Sequence, residues 1–466
     1  MSSPPSSEIK KGYAPGHVDA ESQHVAEDAV FGEVVEGGPD YRAVGWKGTV
    51  ALMLKTQIGL GVLSIPAVFD VLGLIPGILC LFIIGIITCW SNYVVGVFKL
   101  RHPEVYGIED VGSMLFGRVG REILGGAFAL WWVCVAGSGM LGISIALNSL
   151  SEHGTCTAVF VAVAAIIGFA LSSIPTLGKI TWVAWIGLVG ILSAILTVTI
   201  AVGLQDRPPA APLTDGPWKS DFKLFGNPTF AEAAAALTSL VFAYAGTPAF
   251  FNIVSEMRDP RMYTRAVMIQ QSISTCFYGV VGIVVYYYCG SYVASPALGS
   301  AGAMMKKVCY GLALPGLIAS TMLVTHINAK YFFIRTLRGS RHLNHNTPTH
   351  WIVWFSYTAG VSLAAYVIAS AVPVFGGLVS LVGALFGTLM CFQPMGCMWL
   401  YDNWSAGKAT KSPKWIAMVV WCVFVIASGT FLMIAGTYGS LVEIIASYSV
   451  SGGSKAWTCA DNSNST

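Results

Sequence analysis

Eleven apolar stretches, each about the length of a bilayer crossing, constrain this chain more than any other feature. A helical span needs roughly 20 apolar residues to cover about 30 Å of hydrocarbon. The stretches run over 46–69, 72–98, 122–148, 156–174, 180–204, 229–257, 266–293, 307–334, 351–371, 374–400 and 415–437, with only Val372-Pro373 between the ninth and tenth. The bilayer core offers no water to an unpaired backbone group, so such segments fold as helices bonded within themselves. The expectation is an all-α, polytopic membrane protein with 11 transmembrane helices. Charge content agrees: 11% of the 466 residues are charged, against about 25% in a soluble domain.

Orientation follows from the basic residues, which concentrate on the cytoplasmic side of membrane proteins. With the amino terminus inside, 19 lysines and arginines fall on the cytoplasmic side and 6 outside; Lys55 stays in the membrane. The expected topology is therefore N-terminus cytoplasmic and C-terminus extracellular. Residues 1–45 are polar and rich in Ser, Pro, Gly and Glu, without the pattern of a secretory signal peptide, and are expected to be a disordered cytoplasmic tail. Lys10 and Lys11 in it are either regulatory sites or part of a plain solvated tail. Residues 46–204 form a first five-helix repeat and 205–228 a proline-rich extracellular loop. A second five-helix repeat follows over 229–400, then a loop and helix 11 over 401–437 and an extracellular tail over 438–466. Cys156 and Cys459 fall on the outer side and either pair or remain thiols. Asn464-Ser465-Thr466 is a glycosylation sequon outside; Asn403-Trp404-Ser405 is one inside.

Several function classes drop out. The net charge of +3 and the lack of a basic run interleaved with aromatics give no nucleic-acid partner. HExxH, GxSxG and the phosphate-binding GxxxxGK[ST] are absent, so no enzyme is expected. No CxxC pair or Cys/His ligand spacing occurs, so neither a metal nor a cofactor is expected; His342, His345 and His350 sit in a basic loop without such spacing. The partners left are the lipid bilayer and whatever solute crosses it.

Two spans carry interruptions. The first contains KTQIGLGVLSIP, Lys55 to Pro66; the sixth contains VFAYAGTPAFF, Val241 to Phe251. Proline removes a backbone donor, and glycine costs about 1 kcal/mol relative to alanine inside a helix. These spans open the two halves, and interruptions at matched positions point to a transporter built from inverted repeats. A broken helix frees N–H groups at one end and carbonyls at the other, which suit an anion and a cation respectively. A zwitterionic amino acid presents both. The N–H groups at Gly59, Leu60 and Gly61 would take its carboxylate. Carbonyls at Ile58 and at Tyr244, Ala245 and Gly246, beside Thr247, would take its ammonium. The alternative is that these residues only kink packed helices. Gly137, Ser138 and Gly139 in the third span would let a ligand or another backbone approach or would only pack helices, and Phe242, Tyr244 and Phe250 would line an apolar pocket or pack in the core.

GLGVLSIP and FAYAGTPAFFNIVSEMRDP resemble the amino acid/auxin permease family of the amino acid–polyamine–organocation superfamily, most nearly its fungal neutral amino-acid permeases of the methyltryptophan-resistance type. The resemblance covers about residues 45 to 437. It implies a LeuT-like 5+5 inverted repeat with discontinuous helices 1 and 6, and secondary active uptake of amino acids at the plasma membrane, with the vacuolar membrane as the alternative. Many sodium-coupled members have asparagine four residues before the first glycine of the span 1 motif. Lys55 stands there in this chain, which argues against sodium coupling.

Lys55 lies roughly 14 Å along its helix from Trp46, where a charge is costly and tends to be functional. Its ammonium would occupy the place of a sodium ion and brace span 1 against Ser320, Thr321 and Thr325 of span 8; otherwise it snorkels to the interface. His326 and Glu256 are the candidate proton relays. Against this stand a packing role for His326 and an interfacial ion pair of Glu256 with Arg258. No other ionised side chain falls in the middle of a span, so a cationic or acidic substrate side chain would lack a counter-charge. The expected partners are neutral aliphatic and aromatic amino acids and protons. Competing classes are a non-transporting amino-acid receptor on the same fold and an organellar amino-acid exporter.

Overall fold

The computed structural model describes residues 27–28, 32–33, 42–59, 61–174, 177–212, 218–343, 345–371, 375–450, 457 and 459–463. Most of the expected disordered tail, the Val372-Pro373 junction and the sequon at Asn464 lie outside the described residues. Apart from a two-stranded pairing of Glu27–Asp28 with Gly32–Glu33 and one isolated bridge, the described chain is helical.

Span 1 comprises α1 (Trp46–Gln57), a 3-10 turn (Gly61–Ser64) and α2 (Ile65–Leu72). Spans 2 to 5 are α3 (Leu74–Arg101), α4 (Ile108–Ser151), α5 (Thr157–Ser172) and α6 (Leu177–Leu204). Span 6 is again two helices, α7 (Phe230–Tyr244) and α8 (Thr247–Ser255). Spans 7 to 9 are α9 (Tyr263–Cys289), α10 (Ala303–Leu337) and α11 (Pro348–Ala371). Span 10 is α12 (Phe375–Val382), a π turn (Gly383–Gly387), α13 (Thr388–Cys391) and α14 (Gln393–Thr410); span 11 is α15 (Pro413–Val450). Ten of these stretches among the described residues are long and apolar enough to cross a membrane. The fourth, α5, has 16 residues and reaches about 24 Å at 1.5 Å per residue, short of a full hydrocarbon core.

Burial sorts the spans into a centre and a rim. The most apolar windows of spans 1 and 6 are 88% and 94% buried, whereas those of spans 9 and 11 are 33% and 22% buried. The interrupted spans therefore form the middle of the bundle, where irregular backbone is shielded from lipid. The long α10 packs along α6 and α4 beside them.

The ends differ from the hydropathy boundaries for physical reasons. Span 3 begins at Ile108 rather than 122, with non-helical geometry at Gly117 (φ 65°). Its early charges lower the hydropathy, but two of them are paired across the bundle: Asp110 accepts from Arg338 at 3.0 Å and Glu122 from Arg335 at 2.6 Å. α14 runs past residue 400, and Asp402 holds Arg101 (3.1 Å) and His102 (2.8 Å) at the end of α3. α15 continues beyond 437 into the expected tail.

Two further links tie the chain ends to the bundle. Val44 bridges Met257: its N–H donates to the Glu256 carbonyl at 3.2 Å, and its carbonyl accepts from Arg258 N–H at 2.9 Å. A disulfide joins Cys156 to Cys459, settling the choice between a bridge and two thiols. Beside it Asn148 donates to Thr157 (2.8 Å) and to Asn462 (2.7 Å), and the Thr157 hydroxyl donates to the Ala460 carbonyl (2.7 Å).

Candidate functional site

Both interruptions are true breaks. Ile58 closes the last turn of α1 onto the Leu54 carbonyl (2.6 Å) and then leaves helical geometry at φ −78°, ψ 92°. In span 6 the chain departs at Ala245 (φ −80°, ψ 47°). Pro66 and Pro248 lie in the first turns of α2 and α8, where a missing N–H costs nothing and a fixed φ starts a helix. Each proline thus begins the second half-helix rather than kinking the first.

The breaks touch through glycine. A side chain on Gly61 would run into Ala243 of α7, with its Cβ 3.0 Å from the Ala243 Cβ and closer still to the Cα. One on Gly246 would meet Gln57 Cγ at 2.9 Å and Thr56 Oγ1 at 3.0 Å. The C-terminal ends of α1 and α7 therefore face one another, both with the partial negative charge of exposed carbonyls. The chain supplies donors to them. Lys55 Nζ donates to the Ile58 carbonyl at 3.4 Å, and Gln57 Nε2 to the Tyr244 carbonyl at 3.0 Å. The Tyr278 hydroxyl lies 2.8 Å from the Gln57 carbonyl and 2.9 Å from that of Ala243. Gln270 Nε2 donates to Gln57 Oε1 at 2.5 Å and to Ser274 at 3.0 Å. Two carbonyls expected to await an ammonium, those of Ile58 and Tyr244, thus already carry donors from the chain itself.

A small cavity of about 30 Å³ opens beside the breaks, between spans 1, 3, 6 and 8. Lys55, Gly59, Gly61, Phe242, Ala245, Ser320 and Thr321 line it, all named by the sequence. Trp131, Trp132, Val135 and Val324 make its apolar walls, and Thr56, Gln57 and Gly139 complete it. The volume suits about two waters, too small for an amino acid. Lys55 is buried, not snorkelling. Its stem runs past Gly187 of α6, and the Ser320 hydroxyl faces Gly59. Thr321 donates to the Leu317 carbonyl of its own helix at 3.0 Å. Thr325 is buried in α10 but does not line the cavity.

Other expected residues lie elsewhere. Gly137 faces α11, where a Cβ would meet the Ala365 carbonyl at 3.0 Å. Two residues turn a helix by about 200°, and Gly139 takes the cavity side instead. The Tyr244 ring turns away to Thr275 (3.2 Å) and Tyr278. Phe250 packs against Gly246, and the Thr247 hydroxyl donates to Asn92 at 2.7 Å. Leu60 lies outside the described residues. Glu256 does not pair with Arg258 at an interface: it is fully buried and bonds Lys330 of α10 at 2.5 Å. The Val44–Met257 bridge occupies the adjoining backbone. His326, one turn from Lys330 on α10, packs edge-on against Trp354. His342 and His350 bond to Thr347 and to the His342 carbonyl.

Sequence reasoning missed Gln57, Gln270 and Tyr278. Their signal was present: Gln270, Ser274 and Tyr278 recur every four residues, one face of a helix, in a membrane-length span.

The model of the family described as transmembrane amino acid transporter protein matches residues 42–442. The chain belongs to this family. This transporter is 34% identical over 441 residues to a protein named transmembrane transporter of Fusarium pseudograminearum, covering 93% of this chain and 90% of the relative. It is 32% identical over 434 residues to the N amino acid transport system protein of Neurospora crassa, covering 92% and 91%. A more distant relative, amino acid transporter AVT1B of Arabidopsis thaliana, is 21% identical over 447 residues, covering 90% of this chain and 72% of its own length. The resemblance read from spans 1 and 6 and the exclusion of an enzyme agree with this membership.

Proposed function

We propose that this amino acid transporter takes up neutral aliphatic and aromatic L-amino acids across the plasma membrane by proton symport, independently of sodium. The observation that carries the reading is the pair of facing helix breaks with a cavity beside them; the LeuT-like five-plus-five plan is part of the proposal. The N–H groups around Gly59 and Gly61, at the start of the second half of span 1, receive the carboxylate. The ammonium goes to the carbonyl side of the Ala245–Gly246 break. Trp131, Trp132, Phe242 and Val324 surround an apolar side chain, and among the described residues no acidic group lines the cavity to select a cationic one.

Lys55 supports sodium independence. Its ammonium already engages the Ile58 carbonyl, and a second cation there would be repelled. Glu256 and His326 are the groups proposed to move the proton. Alternating access follows from hinging at the breaks, with the cavity opening to one side at a time. The inside amino terminus rests on the 19-to-6 division of basic residues. It also rests on the Cys156–Cys459 bridge, which belongs on an oxidising face.

Purified protein in liposomes tests the reading. Labelled leucine or phenylalanine should accumulate under an inward proton gradient and be indifferent to replacing sodium with choline. Strict sodium dependence, or no uptake of any neutral amino acid, would overturn it.

A further inference from the structure

We infer that Tyr278 is a positioning residue for transport, whose hydroxyl holds the two helix breaks in register. The inference rests on the reading of the cavity as the substrate site, but on different residues. Tyr278 is fully buried and does not line the cavity. It comes from span 7, outside both broken spans. Its oxygen lies 2.8 Å from the last carbonyl of α1, at Gln57, and 2.9 Å from the Ala243 carbonyl near the end of α7.

Two helix ends of like partial charge repel when brought together, and buried carbonyls without a donor are costly. The hydroxyl has one proton and two carbonyls in reach. It draws both ends toward one point, yet bonds fully to either alone. When the halves hinge, Tyr278 can follow one carbonyl without orphaning itself. Gln57 adds a direct link across the same gap through the Tyr244 carbonyl, and Gln270 aims that amide from the turns of span 7 below Tyr278. Span 7 thereby sets the separation of Gly61 from Ala243, and with it the shape of the cavity.

Tyr278→Phe removes the proton and keeps the ring, so insertion and packing should be retained. The expected result is a KM for leucine raised about five- to ten-fold, with the maximal rate per inserted protein within about two-fold of the parent. Amide hydrogen exchange, which needs no substrate, should quicken in peptides covering 57–61 and 243–247 and not elsewhere. Gln57→Leu should add little to Tyr278→Phe, because both act on one gap. A KM within two-fold of the parent, or faster exchange spread over the whole bundle, would overturn the assignment and leave Tyr278 a packing residue. If the parent binds no amino acid, the proposed function fails; exchange then decides Tyr278 by itself, and unchanged rates at both breaks refute it.

Discussion

Gly61→Ala is the most direct perturbation of the breaks. The added methyl would sit 3.0 Å from the Ala243 Cβ and 3.2 Å from its nitrogen, and nearer still to its Cα. Carbon atoms prefer separations of about 3.5–4.0 Å, so α7 and the 3-10 turn at Gly61 must draw apart by more than about 0.5 Å. The obstacle is backbone, which cannot rotate away as a side chain can. Overpacking of this kind costs about 1–3 kcal/mol, or about 5- to 150-fold in affinity if the strain falls on the bound state. Errors of about 1 Å at a reacting centre have comparable effects. Gly126→Ala and Gly360→Ala, where the new methyl meets nothing within 4 Å beyond its chain neighbours and the backbone of its own helix, are the controls. Leucine and phenylalanine binding would be measured by calorimetry on detergent-solubilised protein, with monodispersity checked for each variant. Gly61→Ala should lose at least five-fold in affinity while both controls stay within two-fold. Parent-like binding by a well-folded Gly61→Ala protein would refute the close approach of the two breaks.

Lys55→Met should lower accumulation under a proton gradient at least ten-fold while counterflow exchange persists; unchanged accumulation in liposomes would return Lys55 to a packing role. Glu256→Gln breaks a buried ion pair, a loss of about 3–5 kcal/mol, and should sharply lower the temperature at which the solubilised protein aggregates. Adding Lys330→Met should recover much of that loss, since it removes the stranded ammonium. Gly139→Ala, which presses on Thr321 at the cavity, should weaken leucine binding more than Gly137→Ala, whose methyl meets α11 instead.

Much of this molecule was legible before its coordinates. Hydropathy located the spans because lipid demands long uninterrupted apolar runs. The breaks were legible because glycine and proline act locally on the backbone. Helix ends were less so: the charges between Ile108 and Glu122 read as loop, and only the arginines of α10, more than 200 residues away, make them compatible with a helix. The partner of Glu256 was hidden likewise, since Arg258 is near in sequence but Lys330, 74 residues on, is near in space. Tyr278 went unnoticed because a tyrosine in an apolar run looks like any other aromatic, and its importance lies in which carbonyls its hydroxyl meets. The carbonyls of Ile58 and Tyr244 lie at the breaks, but the donors that fill them come from side chains whose direction only the fold determines.

The bridge between Cys156 and Cys459 spans 303 positions, and ribosomes make chains in one direction. Cys156 therefore emerges long before its partner and must wait as a free thiol while eight further spans are threaded into the membrane. A chain cut short anywhere before residue 459 keeps that thiol, so the sulfur's oxidation state records whether synthesis reached Cys459.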